Sequence, residues 1–200
     1  MLVIAADYKN VHMMNSINMN IFIINAHKYY SYSKGELNKF IFNLIVDYFK
    51  PYNEVETTII ENGYDIKTEI EKYLRSDIII FQTPVNWYNI PWSFKKYIDD
   101  VYTPGSFYKK SDKYGKGGML LNKMYMLSLT SAASLDEYTN TEGFFNIRSI
   151  DDIFIGFHKI HEYCGMEKLK TFAVYNVLYD INIEKIKSDL ISHLKQNVNI

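Results

Sequence analysis

The sequence holds three short runs whose residue types suit the grip of a flat, anionic ligand. The first, Asn25-Ala26-His27-Lys28-Tyr29-Tyr30-Ser31-Tyr32-Ser33-Lys34-Gly35-Glu36-Leu37-Asn38, follows the apolar residues Ile21 to Ile24. Ser33 and Glu36 have the spacing of a capping box at the start of a helix. The first N–H groups of a helix lack internal partners and sit at the positive end of its dipole, so an anion there gains from a few tenths to ~2 kcal/mol. Phosphate is the usual anion at such a terminus. Ser33 offers a hydroxyl donor, Gly35 lets a backbone come close, and Lys34 or His27 supplies charge. The same residues also describe a plain helix cap that holds nothing.

The second run, Thr83-Pro84-Val85-Asn86-Trp87-Tyr88-Asn89-Ile90-Pro91-Trp92, brackets aromatic side chains between prolines. Proline restricts the backbone, so N–H and C=O groups can be held towards the polar edge of a planar ring with an aromatic beside it. Trp92, which opens a helix, reads as a hydrophobic anchor, whereas Trp87 is expected at the site. The third run, Thr130-Ser131-Ala132-Ala133-Ser134, is small and polar, which leaves room for a ligand and equally describes a solvated turn. Only together do the three runs point to a binding site.

Other chemistries have less to stand on. His158 and His161 are three apart on an amphipathic stretch, a poor metal pair without a carboxylate elsewhere, so packing is expected and no metal. Cys164 is the single cysteine, which excludes an internal disulfide and any two-thiol motif. Asp99 and Asp100 lie one helical turn from Lys95 and Lys96 and are expected to form a solvated charged face. No G-x-G-x-x-G follows the first strand and no Walker sequence occurs. The strand ends carry Asn25, Thr83 and Thr130 in place of the acidic residues of a phosphoacceptor domain.

The elements that must position these runs alternate in type. Ile21 to Ile24 reads as a strand, and Leu37, Phe40, Ile41, Leu44, Ile45 and Tyr48 recur at helical spacing before Pro51. Val55 to Ile60 is a second strand, followed by a helix capped near Asp65. Asp77 to Gln82 is an unbroken apolar run of the kind buried on both faces. A helix from Ser93, a strand over Lys123 to Thr130, a helix over Ile150 to Cys164 stopped by Gly165, a strand over Thr171 to Leu178 and a helix over Ile183 to Leu194 complete the series. Such alternation demands right-handed crossovers and a doubly wound, five-stranded parallel sheet with helices on both faces. Ligands of such sheets bind beyond the carboxyl ends of the strands at the topological switch point, where the three runs fall.

Residues 1–18 show neither period and are expected to form a disordered extension before a single domain over 19–200. Lys plus Arg number 22 against 23 acidic residues, so no field favours a nucleic-acid or membrane-surface partner, and a small molecule is expected. No apolar run approaches the ~20 residues of a membrane span, and Leu2 to Ala6 is too short for a signal-peptide core. With its lone cysteine the chain is expected in the cytoplasm.

Tyr64-Asp65-Ile66-Lys67, Asp77-Ile78-Ile79-Ile80-Phe81-Gln82, Pro84, Trp87, Pro91-Trp92 and Lys95-Lys96-Tyr97-Ile98-Asp99-Asp100-Val101 form an ordered series of matches. It continues through Lys113-Tyr114-Gly115-Lys116-Gly117-Gly118, Tyr125-Met126-Leu127-Ser128-Leu129-Thr130, Phe157-His158-Lys159 and Cys164-Gly165-Met166-Glu167. Over this stretch the chain resembles NADPH:quinone reductases of the modulator of drug activity B type, with DT-diaphorase a more distant relative.

The resemblance implies a flavodoxin-like fold, FAD as cofactor, a homodimer with its active site near the interface, and two-electron reduction of quinones by NAD(P)H. Carried over by position, the FAD-binding residues are Ser33, Lys34, Gly35, Glu36, Leu37, Asn38 and Phe40, then Pro84, Val85, Asn86, Trp87 and Tyr88, then Tyr114, and Thr130, Ser131, Ala132 and Ala133. His27 corresponds to an FAD-phosphate histidine of the diaphorase relatives. The flavin carries the chemistry with no side-chain nucleophile, Tyr114 assists, and donor and acceptor share one pocket near Trp87 and Tyr114 in ping-pong order. Two departures border that pocket: Asn86 replaces the first of two adjacent tryptophans, and the loop from Thr103 to Lys113 is shorter than usual. Alternatives on the same scaffold are an FMN-dependent azo- or nitroreductase, a flavodoxin-type electron carrier, and a flavin-free binding protein.

Overall fold

The computed structural model describes residues 18–179 and 181–198, so the extension expected over 1–18 lies, but for Asn18, outside the described residues. The chain runs β1 (Asn20–Asn25), α1 (Glu36–Phe49), β2 (Glu54–Ile59), α2 (Ile66–Arg75), β3 (Ile78–Pro84), α3 (Trp92–Val101) and β4 (Met124–Thr130). It continues through α4 (Asp136–Thr139), α5 (Ile150–Ile153), α6 (Ile155–Tyr163), β5 (Glu167–Lys168), β6 (Phe172–Val174) and α7 (Ile183–Asn197). All strand pairs are parallel in the order β2-β1-β3-β4-β5, with β6 also on β4, which is the flavodoxin-like arrangement.

The continuous apolar runs of β1 and β3 are buried because side chains alternate between two covered faces. Phe22, Ile24, Ile79 and Phe81 pack with Tyr73, Phe94, Tyr97 and Phe157 from α2, α3 and α6. Ile21, Ile23, Ile78 and Ile80 pack with Ile41, Ile45 and Phe49 of α1 and with Leu190 and Leu194 of α7. Full burial of such a side chain stabilises by roughly 1.5–3 kcal/mol. Asp65 caps α2 as expected, accepting the Thr68 N–H at 2.9 Å.

Two elements differ from the sequence expectation. The strand foreseen over Thr171 to Leu178 is reduced to β6, and a separate piece, β5, precedes that range: Met124 pairs with Glu167, but Ser128 pairs with Phe172, so the edge carries one extra residue, as at a bulge. It ends early because Asn176 turns left-handed (φ 59°) and leads the chain over the loop after β4, where Val177 N–H reaches Ser131 O at 3.1 Å. The helix foreseen over Ile150 to Cys164 is interrupted at Phe154 (ψ 18°). Its first turn is anchored sideways to the edge strands, since the Asp151 carboxylate accepts from Thr171 Oγ1 at 2.6 Å and pairs with Lys168.

Candidate functional site

The carboxyl ends of β1, β3 and β4 are tied by a buried chain of amides. Asn38 Nδ2 donates to Asn25 Oδ1 (2.8 Å), Gln82 Nε2 donates to Asn38 Oδ1 (2.8 Å), and Ser128 Oγ donates to Gln82 Oε1 (2.6 Å). Asn25 Oδ1 also accepts the His27 N–H at 3.1 Å. Asn38, expected at the cofactor, is thus buried and hydrogen-bonded to the sheet. The adjoining loops are laced by Ala26 N–H to Gln82 O, Val85 N–H to Thr130 O and Ser131 N–H to Val174 O, at 2.8–2.9 Å.

The first loop departs from the expected capping box. Ser33 and Tyr30 exchange backbone hydrogen bonds at 3.0 Å in a tight turn, which holds Ser33 short of the helix. Gly35 takes the cap position at φ 74°, with no side chain capping α1. Its lack of a Cβ is needed twice, since a Cβ would disfavour this φ and would stand 2.5 Å from the His27 ring. His27 is buried beneath that turn, and desolvation lowers its pKa, opposed in part by Glu61. Lys34 and Glu36 are exposed at this terminus, whereas Leu37 and Phe40 pack into the core under α1. Lys28 pairs with Glu61 at 2.7 Å and lies 5.8 Å over the Trp92 ring, joining this loop to the start of α3.

The second loop is a two-residue hairpin closed by Asn86 N–H to Asn89 O (2.8 Å) and Asn89 N–H to Asn86 O (2.9 Å). Its tip residues, Trp87 and Tyr88, have φ of 49° and 62°, values that such turns normally give to Asn or Gly. Each L-residue so placed costs roughly 1–2 kcal/mol. The result is a tryptophan 92% exposed at the mouth of the switch-point crevice. Pro84, Val85 and Asn86 are half-buried behind it, and Thr130 and Ser131 are buried with Ala132 exposed and Ala133 half-buried on the neighbouring loop.

Two clefts lie along the face formed by α3 and α6. One, of about 560 Å³, is bordered by Tyr30, Trp87, Trp92, Lys95 and Phe157, and so joins the first two loops; a second, of about 860 Å³, is bordered by Tyr102, Tyr108, Tyr114, Lys116 and Tyr163. Both volumes are in the range of ligand sites. Lys95, Gly156 and Ile160 belong to both rims, and Thr130 to Ala133 to neither. The structure therefore brings Trp87 together with the first loop but places Tyr114, also 92% exposed, in the second cleft of the same chain.

His158 and His161 are buried packing residues. His158 bonds Tyr125 OH (2.9 Å) and Asp151 Oδ1 (3.1 Å), and His161 bonds Tyr102 OH (2.9 Å) and the Phe157 carbonyl (2.8 Å). Among the described residues no group of three or more His, Cys, Asp or Glu side chains could hold a metal. Burial pushes the Cys164 thiol up to about 12, leaving it an unreactive core residue. Lys95 and Lys96 pair with Asp99 and Asp100 as the spacing foretold. Sequence reasoning missed the amide chain and the aromatic neighbours of Tyr88; isolated Asn, Gln and Ser residues give no periodic signal, because their partners are set by strand order.

The sequence pattern of the flavodoxin-like fold family matches residues 19–198. NADPH:quinone oxidoreductase MdaB of Haemophilus influenzae is 34% identical over 189 residues, covering 89% of this chain and 98% of that protein. Among solved structures, an NADPH-quinone reductase from P. pentosaceus superposes with a TM-score of 0.67 at 19% identity, covering 91% of this chain and 99% of the other. The general stress protein 14 of Treponema denticola, in complex with FMN, superposes with a TM-score of 0.65 at 17% identity, covering 88% and 94%. At these identities the two structural matches speak for the fold alone.

Proposed function

Because this chain belongs to the flavodoxin-like fold family, within which MdaB is its relative along nearly the whole length, we propose that it is a cytoplasmic, FAD-dependent NAD(P)H:quinone oxidoreductase acting as a homodimer. The observation that carries this reading is the left-handed Trp87–Tyr88 turn, which holds a bare aromatic face at the switch point beside the uncapped start of α1. Strain of this kind persists where the surroundings impose it and clusters at functional sites.

The residues present fit a flavin. The open N–H groups of α1, on a turn where Gly35 lets the His27 ring pack close, suit a diphosphate, while Trp87 and the hairpin backbone suit a flat ring with a polar edge. A bound flavin supplies acceptance and donation of a hydride, so the chain itself needs no nucleophile. Its own side chains bind and orient: Trp87 and Tyr88 hold flat rings in stacking position, and the hydroxyl of Tyr114 stabilises charge developing on the acceptor oxygens. Within one chain Tyr114 lines the second cleft, apart from Trp87 in the first, so a pocket shared by Trp87 and Tyr114 requires a second copy of the chain. Trp92 (60% exposed) and Ile155 (54% exposed) give the α3–α6 face the apolar surface a dimer buries.

The test begins with the purified protein: its visible spectrum, the mass of the extracted cofactor, and NAD(P)H oxidation with a quinone. FAD, quinone-dependent turnover, parallel double-reciprocal lines and a dimer by sedimentation are expected. FMN in the extract moves the assignment to the azo- or nitroreductase class, and a protein that stays colourless with added flavin overturns it.

A further inference from the structure

A second aromatic surface stands beside the Trp87–Tyr88 turn. Phe144, on the segment after α4, is 68% exposed, and its ring stacks on Tyr88 with centroids 5.4 Å apart and planes at 27°. So exposed a phenylalanine gains little from burial, and its position is set by backbone anchors. The Phe144 N–H donates to Glu137 Oε2 at 2.8 Å and the Phe145 N–H to the Glu137 carbonyl at 3.0 Å. Gly143 lies so close to this turn that a Cβ on it would stand 2.7 Å from the Glu137 carbonyl oxygen.

Beneath it, the buried ring of Phe145 stacks on Tyr138 with centroids 4.2 Å apart, and Tyr138 OH bonds Ser131 Oγ at 3.1 Å. Just beyond, Asn146 and Ile147 have φ of 52° and 58°. A β-branched residue there is a genuine outlier. Two segments, one after β3 and one after β4, thus each hold a left-handed pair of non-glycine residues and meet through Tyr88 and Phe144.

We infer that Phe144 holds the second ring of a fused two-ring quinone whose reacting ring lies against the Trp87–Tyr88 turn. The inference rests on the quinone reductase reading above and adds a substrate preference to it. Stacking on Tyr88 fixes the plane of Phe144 while leaving most of the ring exposed, so a flat apolar ring arriving beside Tyr88 meets a preset surface. A single-ring quinone seated on the turn does not extend to that surface and gains nothing from it. Loss of one apolar contact of this size changes discrimination by about 10- to 200-fold.

The experiment compares the FAD-loaded protein with Phe144→Ala and Phe144→Tyr, using 1,4-naphthoquinone and 1,4-benzoquinone at saturating NADPH. The ratio of kcat/KM for the two quinones should fall about ten-fold or more in Phe144→Ala and return in Phe144→Tyr. Binding of unreactive 2-naphthol, read by quenching of tryptophan fluorescence, should weaken in parallel in Phe144→Ala while binding of phenol does not. An unchanged ratio in a protein that still reduces quinones overturns this inference alone. Absence of turnover with any quinone in the unaltered protein overturns the reductase reading and this inference with it.

Discussion

At the scale of single residues, the site is built from conformations that side chains normally avoid, and substitutions there separate folding from binding. Gly35→Ala adds a Cβ at a φ of 74° and 2.5 Å from the His27 ring. It should destabilise the protein by about 1–2 kcal/mol from the backbone alone, with more from displacement of His27. A urea-unfolding midpoint equal to that of the unaltered protein would show that the turn relaxes freely. Trp87→Gly acts in the opposite sense. Its ring is 92% exposed and its φ is 49°, so glycine relieves roughly 1–2 kcal/mol of strain against about 0.5–1 kcal/mol of added chain entropy. The flavin-free variant should unfold at equal or higher urea than its parent while retaining flavin less tightly. A clear loss of flavin-free stability would mean that Trp87 packs for the fold.

At the scale of elements, the site depends on how strand ends are joined. Asn38→Leu removes two buried hydrogen bonds and leaves Gln82 Nε2 without a partner, while Asn25 Oδ1 keeps the His27 N–H; Ser128→Ala removes one bond and leaves Gln82 Oε1 without a partner. An orphaned group costs roughly 1–3 kcal/mol in either variant, and the second lost bond adds about 0.5–1.5 kcal/mol, so Asn38→Leu should be the more destabilising in urea; the reverse order would remove the chain as the tie between these loops. None of this was legible in the sequence, because Asn25, Asn38, Gln82 and Ser128 are brought together only by the β1-β3-β4 order. The elements themselves were legible where burial writes a long signal: the apolar runs of β1 and β3 and the helical spacing in α1. The fifth strand was not, because Thr171 to Leu178 reads as continuous strand while Asn176 turns away after β6. Ser33 misled for a similar reason. Its spacing to Glu36 satisfies a capping box, but the exchange with Tyr30 holds it outside the helix.

At the scale of the whole molecule, the core carries a titratable group that fixes its response to acid. His161 is fully buried between Tyr102, Tyr125 and Phe157, and desolvation pushes its pKa down to about 3, with the Phe157 carbonyl opposing only in part. In the unfolded chain the same imidazole titrates near its ordinary value of about 6.5, so between these limits the unfolded state binds the proton and the folded state does not. Stability therefore falls as pH drops below about 6.5, by about 2 kcal/mol from this residue between pH 7 and pH 5. His27 and His193, lowered by burial as well, act in the same direction but are less enclosed. The Asp151 carboxylate, held below the usual range by His158, Lys168 and Thr171 against its own desolvation, contributes stability that is lost only as pH falls further, through the carboxylate range. The measurement is urea unfolding at pH 7 and pH 5 for the protein and for His161→Gln, whose amide can still pair with Tyr102. The variant is expected to be less stable at pH 7, because the aromatic contacts are lost, yet to lose about 2 kcal/mol less on acidification. If both proteins lose the same amount, His161 is not the group that senses acid, and the slope belongs to His27 or His193.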